Sequence, residues 1–322
     1  MIIIIISYIV SMITKPDLTS LAKGLLGLVF GLTVLTGCNP NNESEELAVS
    51  DTQEMLEITV SILPQEYFVK KIAGDKVEVN VLVQPGSEPE AYEPLPQQLK
   101  TISQSTAYII LGVSVERGWL SKIQSLNPNL IVINSGEGIE LIPMVAHHHE
   151  EEEHDNLDPH IWLSPQLVKI QAQNIYQGLV RLDPENEAEY KQNLDNFLVE
   201  IDQLDAQIRQ NLEPIENRKF IVFHPAWGYF AEDYDLEQIP IEIGGQEPSP
   251  AELGELVKIA QAEDIRVIFA QYQFNARTAE TIAKEIGGEV QFIDPMAPNW
   301  SENLLKFSQT LSKSQGQNQG SL

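Results

Sequence analysis

The chain predicts an α/β fold, built as two βα lobes with mostly parallel sheets. Three observations predict it. Short β-branched runs alternate with helical stretches from Glu57 onward, as in strands joined by crossover helices. The runs fall into two sets of four, separated by one unusually long periodic segment. The folded part of this 322-residue chain also exceeds one ordinary hydrophobic core, which favours two lobes over one.

Residues 1–37 predict a secretory leader. Lys15 and Lys23 precede an apolar stretch from Leu25 to Leu35, which ends in Leu35-Thr36-Gly37-Cys38. The stretch is too short to span a bilayer, and small residues before Cys38 suit cleavage followed by acylation, as in a bacterial lipoprotein signal. Cys38 is the only cysteine. It has no internal partner for a disulfide, which leaves lipidation as the economical role; a chance Gly-Cys after a buried helix is the alternative. The run Ile2 to Val10 is odd for a signal, and a start at Met12 leaves an ordinary one. The expected location is therefore extracytoplasmic, on a bacterial membrane through the lipid. Residues 38–56 are polar and aperiodic and read as a tether.

In the N-terminal lobe, 57–183, strands are expected at Ile58 to Leu63, Val77 to Val83, Ala107 to Leu111 and Leu130 to Ile133. Ser164-Pro165 then supplies an N-cap with proline at the first helical position, opening a helix to about Leu182. Asp183-Pro184 repeats the start signal. Leu194, Phe197, Leu198, Ile201, Leu204, Ile208 and Leu212 recur at spacings of three and four, so the helix over 184–212 has one apolar face. It is long enough, roughly 43 Å at the α-helical rise, to run the height of two lobes; a plain core helix would carry the same pattern. The C-terminal lobe, 213–318, repeats the grammar at Phe220 to Phe223, Ile239 to Ile243, Val267 to Ala270 and Val290 to Ile293. Ser249-Pro250-Ala251-Glu252 is a capping box that starts a further helix. No residue-level repeat relates the halves.

The formal net charge is −27, and loss of Lys15, Lys23 and Asp17 with the leader makes it one unit more negative. Such a balance argues against nucleic acid as a partner and is compatible with attraction of cations.

Five of the six histidines, His147, His148, His149, His154 and His160, fall within fourteen residues. Dense nitrogen and carboxylate donors are a metal signal. The His/Glu-rich loop 146–156 has no apolar period and reads as exposed and acidic, a weak collector of cations or simply a solvated charge run. His160 is different, flanked by Pro159 and by Ile161, Trp162 and Leu163. It has the surroundings of a residue at the edge of a packed element. Four candidate segments stand out: Gly86 to Pro94, His224-Pro225 and Asp294-Pro295 each follow an expected strand, and Asp158-Pro159-His160 follows the acidic loop. Ligands in open α/β sheets bind beyond the carboxyl ends of strands, so these segments can converge in one crevice. Two histidines and two carboxylates would complete a four-donor site for a divalent cation.

The segments Asp158 to Pro165, Phe223 to Phe230, Pro85 to Pro94 and Ile293 to Met296 resemble the four site-forming segments of the cluster A-I (cluster 9) family. These are zinc or manganese substrate-binding lipoproteins of ABC importers. The resemblance covers about residues 57–312 and implies two lobes joined by one long helix. It further implies a metal in the interlobe cleft and delivery to a membrane permease. Carried over by position, His160 and His224 match metal-ligating histidines, and Asp294 matches the carboxylate that many members use as fourth ligand. Glu90 stands where members usually have histidine. Either Glu90 ligates, or Glu88 does, or water completes a three-ligand site; Glu90 is the expected ligand. Manganese members tend to carry glutamate at the position of His224, so the resemblance points to Zn2+, with Mn2+ as the alternative. At a mixed site zinc is also held more tightly than manganese.

The His-rich loop resembles loops thought to gather metal in zinc members, and here implies weak auxiliary binding by His147, His148, His149 and His154. A monomer that is not an enzyme is expected. A secreted zinc hydrolase is the competing class, although no His-Glu-x-x-His motif occurs; a surface adhesin is the third.

Overall fold

In the computed structural model of the chain, residues 55–144, 157–242, 245–274 and 276–316 are described. The leader, most of the tether, Cys38 and the loop histidines His147, His148, His149 and His154 lie outside them. Among the described residues no helix is long and apolar enough to cross a membrane.

The N-terminal lobe carries strands β1 (Leu56–Val60), β2 (Val77–Val81), β3 (Ala107–Ile110) and β4 (Ile131–Asn134), all parallel, in the order β2-β1-β3-β4. The C-terminal lobe carries β5 (Lys219–Val222), β6 (Glu237–Pro240), β7 (Val267–Gln271) and β8 (Glu289–Ile293), parallel again, in the order β6-β5-β7-β8. The lobes share a topology without sharing a sequence repeat. Parallel strands covered on both faces read as nearly continuous apolar runs, which is why β7, Val-Ile-Phe-Ala-Gln, is buried throughout.

Helices α1 (Leu63–Ala73), α2 (Pro96–Gln104), α3 (Ser114–Leu126) and α4 (Pro165–Leu182) accompany the first sheet. Helices α6 (Gly228–Asp233), α7 (Pro250–Ala262), α8 (Arg277–Glu285) and α9 (Trp300–Gly316) accompany the second, with α5 (Glu187–Leu212) between the two sets. The expected caps are present: Ser164 Oγ accepts from Leu167 N–H, and Ser249 with Glu252 forms the capping box. Several boundaries differ from expectation: β2 ends at Val81 rather than Val83, and β6 spans Glu237–Pro240 rather than Ile239 to Ile243. The first strand stops at Val60 rather than Leu63, because the Gln65 side chain accepts from the N–H groups of Ser61 and Ile62 at 2.9 and 3.3 Å and starts α1 there. The tether ends one residue early, as Leu56 already pairs with Val77. Residues Pro184–Asn186 form a 3-10 turn before α5, pinned by Asp183 Oδ2, which accepts from Asn186 Nδ2 and Tyr190 OH, each at 2.6 Å.

Helix α5 spans about 39 Å at 1.5 Å per residue and packs against α1, α4 and α9. Its apolar row, Tyr190, Leu194, Phe197, Ile201, Leu204, Ile208 and Leu212, is buried along its whole length. It links the lobes. The main core is accordingly continuous from Ile58, Ile109 and Trp162 to Phe220, Trp227 and Phe269. Two smaller clusters fill the outer faces, around Ile221 and Ile268 in one lobe and Leu82 and Tyr108 in the other.

Candidate metal centre

Both lobes present the carboxyl ends of their strands to one place. In each sheet the first and third strands are neighbours, and the point where strand order reverses leaves a crevice at those ends. His224 follows β5 at such a point. Its backbone is pinned on both sides by Gln271 at the end of β7: His224 N–H donates to Gln271 Oε1 at 3.2 Å, and Gln271 Nε2 donates to the His224 carbonyl at 2.9 Å. His160 precedes the 3-10 turn Ile161–Leu163 and α4. Glu90 lies in the segment between β2 and α2.

Both histidines are buried, and each is turned by a carboxylate. His160 Nδ1 lies 2.7 Å from Asp158 Oδ1, which also accepts from the His160 backbone N–H at 2.8 Å. His224 Nδ1 lies 3.3 Å from Glu242 Oε2. An ionised carboxylate only accepts hydrogen bonds, so the proton of each neutral ring belongs on Nδ1 and the lone pair on Nε2. The two Nε2 atoms stand 3.4 Å apart. A tetrahedral zinc with bonds of about 2.0–2.1 Å sets its nitrogen ligands about 3.3–3.4 Å from each other. The spacing fits one edge of that tetrahedron. Two facing lone pairs repel until a cation lies between them.

Glu90 Oε1 is 4.0 Å from His160 Nε2. Glu90, His160 and His224 form the one group of metal-capable side chains among the described residues, with donor atoms all within 4.8 Å of one another. The cavity they border measures about 20 Å³ and is also lined by Glu88, Trp162, Gln273, Phe274 and Met296, which is room for one ion or water. Phe274 stacks on the His224 ring at 5.0 Å, and Trp162 lies 5.0 Å from that of His160.

The local field favours positive charge. Burial works to lower the pKa of His224, but the hydrogen bond to Glu242 and the charges of Glu90, Glu242 and Glu88 outweigh it and raise it. Glu88 is raised by burial first, against the attraction of His224, with Glu90 and Glu242 adding repulsion. A divalent cation answers the same excess of negative charge.

Asp294, expected as the fourth ligand, stands apart from the group. Its Oδ1 accepts from Gln273 Nε2 and from the Met296 backbone N–H, each at 2.9 Å. Glu88, the alternative to Glu90, lines the cavity without joining the group.

The family described as the periplasmic zinc-uptake complex component A, ZnuA, matches residues 58–313. The chain belongs to this family. It is 29% identical over 288 residues to the high-affinity zinc uptake system protein ZnuA of Bacillus subtilis (strain 168), covering 85% of this chain and 88% of that one. It is 30% identical over 266 residues to a metal ABC transporter substrate-binding lipoprotein of Lactococcus lactis subsp. lactis (strain IL1403), covering 80% and 82%. A crystal structure of a ZnuA protein shares 45% identity and superposes with a TM-score of 0.77, over 81% of this chain and all of that one. The two-lobed α/β architecture expected from sequence is thus that of the ZnuA family.

Sequence reasoning missed Glu242 and Gln273 and gave Asp158 no role of its own. Glu242 had a signal, an acidic residue inside the apolar run Ile239 to Ile243 at the end of a strand. Gly228 in the segment after His224 also acquires a reason: a Cβ there would come within 2.5 Å of Asp158 Oδ2. A side chain there would press on the carboxylate that turns His160. Because outer partners of a ligating histidine typically contribute 10–100-fold in metal affinity, Asp158→Asn is expected to weaken zinc binding by about that factor with the fold retained. Competition against a chromogenic chelator, beside far-UV circular dichroism, measures both. Unchanged affinity would remove Asp158 from the site.

Proposed function

We propose that this protein is an extracytoplasmic, high-affinity zinc-binding component of an ABC importer, holding Zn2+ through Glu90, His160 and His224 and delivering it to the permease. One observation carries the reading: two buried Nε2 atoms 3.4 Å apart, each ring turned by its own carboxylate, beside a third donor. Zinc is favoured over manganese because two imidazoles and one carboxylate in a small cavity suit a four-coordinate ion, and because zinc stands above manganese in the order of affinities. Both the zinc-uptake family and the B. subtilis relative's name point the same way. Lipidation at Cys38 would hold the chain, as a monomer, at the membrane beside its permease, in keeping with the name of the L. lactis lipoprotein.

Carriage explains the site better than catalysis. A cavity of about 20 Å³ has room for one ion or water, which suits carriage. His147, His148, His149 and His154 would add weak, labile binding in the acidic loop, distinct from the tight site.

Metal-stripped protein titrated with zinc is expected to take up one tight equivalent per chain, resistant to excess Mn2+, followed by weaker equivalents. Deletion of residues 147–155 removes only the weaker ones. Absence of a tight equivalent, or displacement of zinc by equimolar manganese, would overturn the reading; loss of the tight equivalent on deletion would end the division between loop and cleft.

A further inference from the structure

We infer that Gln273 sets the selectivity of this site by holding the Asp294 carboxylate off the metal and reserving the fourth coordination position for water. The inference rests on the reading of Glu90, His160 and His224 as metal ligands. Strands β7 and β8 are neighbours, with Gln271 opposite Ile293, so the residues that leave their carboxyl ends, Gln273 and Asp294, emerge side by side. Gln273 lines the cavity and Asp294 is drawn toward Gln273 instead.

The orientation of the amide follows from chemistry. Asp294 Oδ1, already accepting from Met296 N–H, takes a further donor from Gln273, and only the nitrogen end of an amide donates. The oxygen end is thereby committed to the other side. Gln273 Oε1 is buried and has no hydrogen-bond partner among the described residues, a condition shared there only by Gln171 Oε1 and Trp227 Nε1. Of the three residues, Gln273 alone lines the cavity of the histidine pair. A buried carbonyl oxygen requires a donor, and water on a divalent cation is an unusually strong one, since the metal draws electron density from its O–H bonds. One end of Gln273 thus restrains a carboxylate while the other suits a metal-bound water.

Without the Gln273 amide, Asp294 would keep only the Met296 N–H on Oδ1, leaving its carboxylate free to turn toward the site as a second anionic donor. The donor set would change from two nitrogens, one carboxylate and water to two nitrogens and two carboxylates. Harder, more anionic donors favour manganese relative to zinc. Gln273 therefore acts as a positioning residue whose effect is read in selectivity.

Gln273→Met has nearly the same bulk and no hydrogen bonds. In the metal-stripped full chain, competition titrations with Zn2+ and Mn2+ are expected to show the preference for zinc reduced about tenfold, the scale of outer-shell effects. Water-proton relaxation of the Mn2+ form should lose a coordinated water. In an Asp294→Asn background the same substitution is expected to leave the ratio unchanged, because no carboxylate is released. An unaltered ratio in Gln273→Met, or an equal shift in both backgrounds, overturns the inference. His160→Ala keeps the two readings separate: tight zinc binding in that variant would refute the metal site itself, whatever Gln273→Met does.

Discussion

Replacement of His160 or His224 by alanine is expected to abolish tight zinc binding, with a loss on the order of 1,000-fold or more, beyond the roughly 10–100-fold that an outer-shell partner contributes. Each substitution removes one of only two nitrogen donors, and no other imidazole lines the cavity: Glu88 offers a carboxylate oxygen only, Gln273 is an amide, and Trp162, Phe274 and Met296 offer no strong ligand. The two variants should differ in stability. In His160→Ala the Asp158 carboxylate keeps the backbone N–H of residue 160. His224→Ala takes from buried Glu242 the ring nitrogen at 3.3 Å, and a buried acceptor deprived of its partner costs about 1–3 kcal/mol. Isothermal titration with zinc gives the affinities and thermal melts of the metal-free proteins give the order of stability. Full affinity in either variant would sink the site as drawn; equal melting of both would remove Glu242 from its proposed role.

The division between what could be read from sequence and what could not follows the range of the interactions. The strands were legible because parallel strands covered on both faces become apolar β-branched runs, as in β3 and β7. Helices α4 and α7 were legible because their caps are local, Ser164 reaching Leu167 and Ser249 reaching Glu252. The overrun of the first strand came from the opposite case, since Gln65 halts β1 through side-chain bonds that no apolar pattern encodes. At the site, His160 and His224 stand out in sequence through their flanking residues. The partners that turn them were less visible. Asp158 acts two residues away, but Glu242 reaches His224 across neighbouring strands β5 and β6. Gln273 meets Asp294 only through the register of β7 with β8, and the separate placement of Asp294 follows from that register.

Trp300→Ala is expected to be the most damaging of the substitutions away from the metal, lowering stability by about 3–5 kcal/mol, as large-to-small changes at buried aromatic positions do. Trp300 opens α9 and is almost wholly buried. Its ring meets Phe68 of α1 edge-on at 5.2 Å and Phe197 of α5 at 6.4 Å, so it fastens the C-terminal helix to both the first lobe and the linking helix. Its Nε1 donates to the Trp162 carbonyl at 2.6 Å, and Trp162 Nε1 in turn donates to the Pro295 carbonyl at 2.8 Å. That chain of two indoles runs directly behind His160, whose ring rests against Trp162. Against a total stability of about 5–15 kcal/mol, the loss is large enough to shift the urea midpoint well below that of the wild type. Trp300→Phe, which keeps most of the apolar area and loses the N–H, should recover most of the difference. Zinc provides the decisive comparison. An ion that binds only the folded state adds about 2.7 kcal/mol at one hundred times its Kd, so holo Trp300→Ala should regain about half or more of what the apo variant lost. A midpoint unchanged from wild type in the apo protein would mean that the lobes are not joined through this residue. A loss that zinc fails to offset would mean that the indole pair shapes the metal site as well as supporting it.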